Sequence, residues 1–330
     1  MSDKCHKDGR GREMKKLFVL LFFAVSIWGK VLSPVAEIEA SGNVIDLVSQ
    51  EGLLIAGTAA GTLEVYDDKT LELIKKVEFE TIEDFMGETI PPKVFSVDKI
   101  KSKEIYLAMM QSPTSYRRIA IVEGNEQKLL ISEDDQLMIQ KAKFYDEDHI
   151  LIALLSNEII LYEIATKKEI YRHQLTESHF SDLSFSDDKS LLATADESGR
   201  VYILDPKTGE RLKTLEGGNV DNIYNIDFHK DRVITAGQDR RSIVYNVNTG
   251  SFDRYNTNFL IYACAMSPSQ RYGAIAINEE NDIGIYDLNS GRELYVLKGQ
   301  KTTLNSIVFV NENELFSGSD DRYILYWRMP

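Results

Sequence analysis

The chain has 330 residues, with 38 Lys and Arg against 52 Asp and Glu, a formal net charge of −14. Length alone suggests two ordinary domains, while the acidic balance argues against nucleic acid, whose phosphates call for clustered cations. With 43% hydrophobic and 27% charged residues, 7 Pro and 2 Cys, the composition excludes disordered, collagen-like and disulfide-framed chains.

In chain order the first feature is an address. Met14-Lys15-Lys16 precedes an apolar run, Leu17–Trp28, and then Gly29. Two cations, about a dozen apolar residues and a small residue are the three regions of a secretory signal. The run falls short of the ~20 residues that span a bilayer. The expectation is Sec-type export to the periplasm, with residues 1–29 a leader cleaved after Gly29. The polar stretch before Met14 would be an odd leader, so translation is expected to start at Met14. No adjacent Arg pair precedes the run and no Cys stands directly after it, which points to export as an unfolded chain without a lipid anchor. No later segment is apolar enough to span, so no stable membrane insertion is expected after cleavage. An uncleaved anchor is the competing reading. Cleavage removes six cations and three anions, which takes the net charge to −17, and leaves Cys264 as a single thiol unable to form an internal bridge.

Beyond Gly29 one unit recurs seven times. GRVYILDPKTGE around Leu204 has counterparts in GTLEVYDDKTLE (Tyr66), RRIAIVEGNEQK (Val122), NEIILYEIATKK (Tyr162), RRSIVYNVNTGS (Tyr245), NDIGIYDLNSGR (Tyr286) and DRYILYWRMP (Trp327). The anchors lie 56, 40, 42, 41, 41 and 41 residues apart. Within the fourth unit, alternating or small-apolar runs at Phe180–Ser186, Ser190–Asp196, Arg200–Asp205 and Glu210–Glu216 are separated by turn residues. That pattern predicts four antiparallel strands. A lone four-stranded sheet cannot bury both faces, and a period of ~40–45 residues solves this by radial stacking. The predicted fold is all-β, a single seven-bladed β-propeller domain over 30–330.

These residues resemble the WD40-repeat family. The resemblance is carried by Tyr66-Asp67, Leu204-Asp205 and Tyr286-Asp287, by FSDDKSLLATAD (Phe185–Asp196) and by SGSDDR (Ser317–Arg322). No Trp-Asp pair and no Gly-His pair occurs, so the hydrogen-bonded tetrad of that family cannot be complete. The last unit stops after its third strand, and Lys30–Ala40 is a strand-like segment without a unit. Placed as fourth strand of the last blade, it would close the ring and cover an open edge.

Chemistry is sparse. His149, His173, His179 and His229 show no zinc spacing and are expected as solvated turn histidines. Acidic clusters such as Glu133-Asp134-Asp135 and Asp320-Asp321 lack a calcium-loop pattern and are expected as turn residues. Cys264 is expected as a small core residue. No nucleophile elbow or phosphate loop is present. The expectation is therefore no catalytic residue, no metal and no cofactor.

One interval departs from the period. Tyr66 to Val122 exceeds 41 by 15 residues, about eleven of them assigned to Glu80–Pro92 and about four to Gln111–Tyr116. Connections from an outer strand to the next blade, and from second to third strands, share one end of a propeller. The two insertions should meet and bring Phe85, Met86, Ile90, Pro91, Tyr116 and Arg117 into one partner-binding patch. The alternative is a loop that tucks its apolar residues over the blade.

The function this suggests is an exported, monomeric, non-catalytic scaffold docking a periplasmic protein. The chain is also similar to exported WD40-like accessory proteins encoded with periplasmic nitrate reductase in some ε-proteobacteria. That resemblance implies support of nitrate respiration, with a reductase subunit or its electron donor as partner. The rivals are a propeller enzyme (a metal-dependent lactonase or a quinoprotein) and an envelope-assembly scaffold. Trp327 as the one tryptophan after the leader, and the missing lipobox Cys, count against the quinoprotein and the scaffold respectively.

Overall fold

The computed structural model describes residues 29–330, so the leader up to Trp28 lies outside the described residues. Seven antiparallel sheets account for nearly all of the rest. Blade 1 comprises Val44–Gln50, Leu53–Thr58, Thr62–Asp67 and Leu73–Glu78. Blade 2 comprises Val94–Lys99, Ile105–Gln111, Arg117–Glu123 and Glu126–Ile131. Blade 3 runs through Ile139–Phe144, His149–Leu154, Glu158–Glu163 and Lys168–Gln174. Blade 4 follows with Phe180–Phe185, Leu192–Asp196, Val201–Leu204 and Arg211–Leu215. Ile223–His229, Arg232–Gly237, Arg241–Asn246 and Phe252–Asn256 form blade 5. Cys264–Met266, Tyr272–Ala276, Ile283–Asp287 and Arg292–Leu297 form blade 6. Leu304–Phe309, Glu314–Ser319 and Tyr323–Arg328 belong to blade 7. The strands of each blade are called a to d in chain order. The a strands pack on one another in a closed circuit that ends with Leu304–Phe309 against Val44–Gln50. All seven repeat anchors fall on c strands, and the length-based expectation of two domains gives way to one ring.

The ring closes in two steps rather than one. Ala36–Glu39 pairs antiparallel with Tyr323–Arg328 and supplies the fourth strand of blade 7. Lys30–Leu32, expected in the same strand, instead adds a fifth, parallel strand to the outer edge of blade 6. Pro34 separates them; it has no N–H to continue a ladder and packs where a Cβ on Gly299 would approach it to 3.0 Å.

Apolar packing runs between blades. Val44, Leu54, Phe316 and Ile324 join blades 7 and 1. Leu151, Ile159, Leu183 and Tyr202 join blades 3 and 4, and Met109, Ile119, Phe144 and Ile152 join blades 2 and 3. Each blade therefore removes its faces from water only against its neighbours.

The residue after the c-strand anchor has a local task. Asp67, Asp205, Asn246 and Asp287 each accept backbone N–H bonds from residues two or three further on, folding the c–d turn. Those bonds hold the Asp67 and Asp287 carboxyls below their usual pKa. The turn then needs a left-handed residue four positions on, which Gly209, Gly250 and Gly291 supply at φ of 70°, 77° and 70°. The tetrad is replaced by amide relays. In blade 7, Trp327 Nε1 donates to Ser317 Oγ (2.9 Å), Ser317 donates to Gln300 Oε1 (2.8 Å), and Gln300 Nε2 donates to Ser319 Oγ (2.6 Å). In blade 5, Thr235 donates to Asn219 Oδ1, whose amide donates to Asp239.

Candidate docking surface

The connection between blades 1 and 2 folds into a two-stranded hairpin, Ile82–Glu83 paired with Thr89–Ile90. Its root is fixed: Ile82 is buried, and Pro91 and Pro92 lie against Gly61. Its turn is fixed by Asp84, whose Oδ1 accepts N–H bonds from Met86 (2.8 Å) and Glu88 (2.9 Å), while Gly87 N–H donates to the Asp84 carbonyl. Gly87 takes φ 81°, which an Asp84–Glu88 turn this tight requires. The result lifts two large apolar side chains into solvent, Phe85 at 91% exposure and Met86 at 71%. Burying either would remove roughly 1.5–3 kcal/mol of unfavourable hydration, so the turn holds apolar area that a contact could cover.

The other residues expected in this patch take different places. Ile90 is half-buried and Pro91 exposed at the hairpin's foot. The two insertions are joined at their bases, where Gln111 N–H donates to the Lys93 carbonyl (2.8 Å). Ser112 and Thr114 hold the second insertion through their hydroxyls, and Tyr116 is half-buried there. Arg117 turns onto the Phe95 ring, 4.4 Å from its centroid. Among the described residues no hydrogen bond or aromatic contact links 83–89 with 112–117. The tucked-loop alternative describes Ile82 and the projecting-loop reading describes Phe85 and Met86.

Sequence reasoning passed over the central channel. Four Asp side chains on a strands accept a backbone N–H from the next blade: Asp46 from Val97 (2.9 Å), Asp98 from Phe144 (2.7 Å), Asp182 from Ile226 (2.9 Å) and Asp227 from Met266 (2.8 Å). They stand third in their strands in blades 1 and 4 and fifth in blades 2 and 5, so all face the same way. That recurrence was the available signal. Lys143 donates to Asp46 (3.1 Å) and to the Val97 carbonyl, and Lys141 pairs with Asp182. Burial raises the Asp46 pKa, but Lys143 and Lys141 outweigh it and hold the carboxyl below its usual value.

His229 corrects the expectation of solvated turn histidines. It is half-buried, Nδ1 lying 2.6 Å from Asp187 and Nε2 3.5 Å from Asp227. Burial lowers its pKa, yet the two carboxylates overcome this and push it up to about 9. Cys264 lies buried on strand a of blade 6, its thiol pKa raised by burial. A cavity of about 420 Å³ at the a–b turn end of the channel is lined by Asp46, Lys143, Asp227 and His229 among others. Asp46, Lys143, Asp227 and His229 are engaged with one another, with Asp187 or with backbone, an arrangement that couples blades, while Lys101 at the rim is exposed. Among the described residues no group of three or more His, Cys, Asp and Glu side chains is arranged to hold a metal ion.

Fold and repeat together define the class: a seven-bladed β-propeller, with a match to a WD40 repeat that runs from the outer strand of blade 6 through blade 7. The family model described as "WD domain, G-beta repeat" matches residues 291–328, which contain the Trp327–Ser317–Gln300 relay. The chain is similar to WD repeat-containing protein 1 of Xenopus tropicalis, 26% identical over 156 residues, 43% of this chain and 25% of that protein. It is also similar to the serine-threonine kinase receptor-associated protein of Mus musculus, 27% identical over 191 residues, 56% of this chain and 52% of that protein. The chain thus spans between a quarter and about half the length of these curated relatives. Among solved structures, the β-propeller domain of Cps50 (Swd1) from Myceliophteria thermophila superposes with a TM-score of 0.73 at 15% identity, covering 90% of this chain and 99% of that one. That likeness establishes the fold.

Proposed function

We propose that the protein is an exported, non-catalytic docking scaffold that presents the Ile82–Ile90 hairpin to a periplasmic protein. The observation that carries this is Phe85, 91% exposed on a turn that Asp84 caps and Ile82 anchors. A preordered apolar tip loses little conformational entropy on binding, which favours its use as a contact. The channel carboxylates Asp46, Asp98, Asp182 and Asp227 are each bonded across blades, which stiffens the ring that carries the hairpin. Export rests on the leader-like residues 14–29. The narrower assignment, an accessory of periplasmic nitrate reductase, rests on the resemblance of leader and degenerate ring, and the relatives named above add nothing to it.

The test is affinity capture from periplasm with intact protein, with Phe85→Ala/Met86→Ala, and with Glu83–Thr89 replaced by a short turn. Partners recovered by intact protein should be lost with both variants. Equal recovery by all three would remove the hairpin from the function. Recovery of nitrate reductase subunits, or of their electron donor, by the intact protein alone would support the narrower assignment.

A further inference from the structure

The hairpin's charges say what kind of surface it meets. Glu80, Glu83, Asp84 and Glu88 surround the Phe85–Met86 tip, and no Lys or Arg occurs between Lys76 and Lys93. Elsewhere surface carboxylates are commonly paired: Glu51 with Lys99, Glu133 with Arg118, Glu147 with Lys103, Glu169 with Arg172. Among the described residues no salt bridge involves any of the hairpin's four carboxylates. The arginines that follow the second insertion have other partners, Arg117 the Phe95 ring and Arg118 the Glu133 carboxylate, and Glu80 alone among the four adds to the field at Arg118. Glu80, Glu83 and Glu88 are exposed, and only Asp84 has a structural duty.

Resting on the docking reading above, we infer that the hairpin's partner is a protein surface with an apolar recess for Phe85 and Met86, rimmed by Lys and Arg. Carboxylates left unpaired around an apolar tip repel acidic surfaces and select basic ones, which contributes specificity and association rate more than affinity. The net negative charge, −14 for the full chain and −17 without residues 1–29, extends the same field beyond the hairpin and steers a basic partner toward it. A membrane is the rival occupant of a Phe-Met tip. Anionic lipid, which attracts basic segments, would be repelled by this one.

The experiment places the photo-crosslinker p-benzoylphenylalanine at position 85 of the full chain. Periplasmic extract is irradiated at low and at ~300 mM salt, where screening acts within about 6 Å, with the native hairpin and with Glu80→Gln/Glu83→Gln/Glu88→Gln. Asp84 is kept so that the turn persists. The expected result is a crosslinked protein whose attached peptide carries Lys or Arg, with yield falling at least about fivefold in salt and again in the triple variant. A crosslink that survives both changes would overturn the basic partner while leaving docking intact. No protein crosslink under any condition would overturn docking itself. Co-sedimentation with phosphatidylglycerol or phosphatidylcholine vesicles, lost in Phe85→Ala, would overturn a protein partner in favour of lipid.

Discussion

Asp182, like Asp46, is a side chain on which three blades meet. It pairs with Lys141 of blade 3 from its own place in blade 4, and accepts bonds from Asn225 and the Ile226 N–H of blade 5. Its side chain is 4% exposed, so Asp182→Ala should leave a half-buried ammonium and a backbone donor without partners. The expected loss is about 3–5 kcal/mol in urea denaturation, and adding Lys141→Met should restore part of it. A loss below ~1 kcal/mol would show that water replaces the carboxylate. His229 makes a pH-dependent counterpart. Its folded pKa of about 9 lies above the ordinary 6.5, so its contribution is complete below about pH 6.5 and is lost as pH rises through 9. Stability of the native protein should therefore fall by roughly 2–3 kcal/mol between pH 7 and 10. His229→Gln, weaker at pH 7, should lack that slope. Parallel curves for the two proteins would place the titration elsewhere.

At the scale of elements, the N-terminal segment does two separable jobs. Lys30–Leu32 is largely exposed on the edge of blade 6, with only Leu32 half-buried, whereas Ile38 is 6% exposed among Phe316, Ile324 and Tyr326. Removing residues up to Leu32 should cost on the order of 1 kcal/mol and leave a monomer. Ile38→Asp should cost at least about 3 kcal/mol by burying a charge and open blade 7 to self-association, measured by thermal melting and size exclusion. Comparable losses from both changes would make the blade 6 strand as structural as the closing one. The repeat period made the seven c strands and the need for closure legible, because turn residues and anchors recur at fixed distances. It could not reveal the split, since three residues of KVL pair parallel or antiparallel equally well until Pro34 finds its place beside Gly299. The candidate site was legible to the same depth. The extra length marked the hairpin and its tip, but the burial of Ile82, the turn of Arg117 onto Phe95 and the enclosure of His229 depend on neighbouring strands far away in sequence.

At the scale of the whole molecule, the ring has no terminal repeat. In an open stack the end units lose one neighbour and fray first. Here Leu304–Phe309 packs on Val44–Gln50, so every blade has two neighbours, and the Asp46, Asp98, Asp182 and Asp227 bonds couple successive a strands on the channel side. Losing one blade exposes two interfaces at once, which disfavours partly unfolded states. The protein should therefore unfold in one calorimetric transition, with calorimetric and van't Hoff enthalpies equal. Asp182→Ala in blade 4 and Ile38→Asp in blade 7 should each move that single transition down without splitting it. Phe85→Ala, which removes a side chain touching mainly water, should leave it within about 0.5 kcal/mol of the native protein. A second transition in either core variant would mean that groups of blades fold separately. The hairpin would then sit on a unit that can open independently of the ring, and the rigidity that makes its tip a low-entropy contact would be lost.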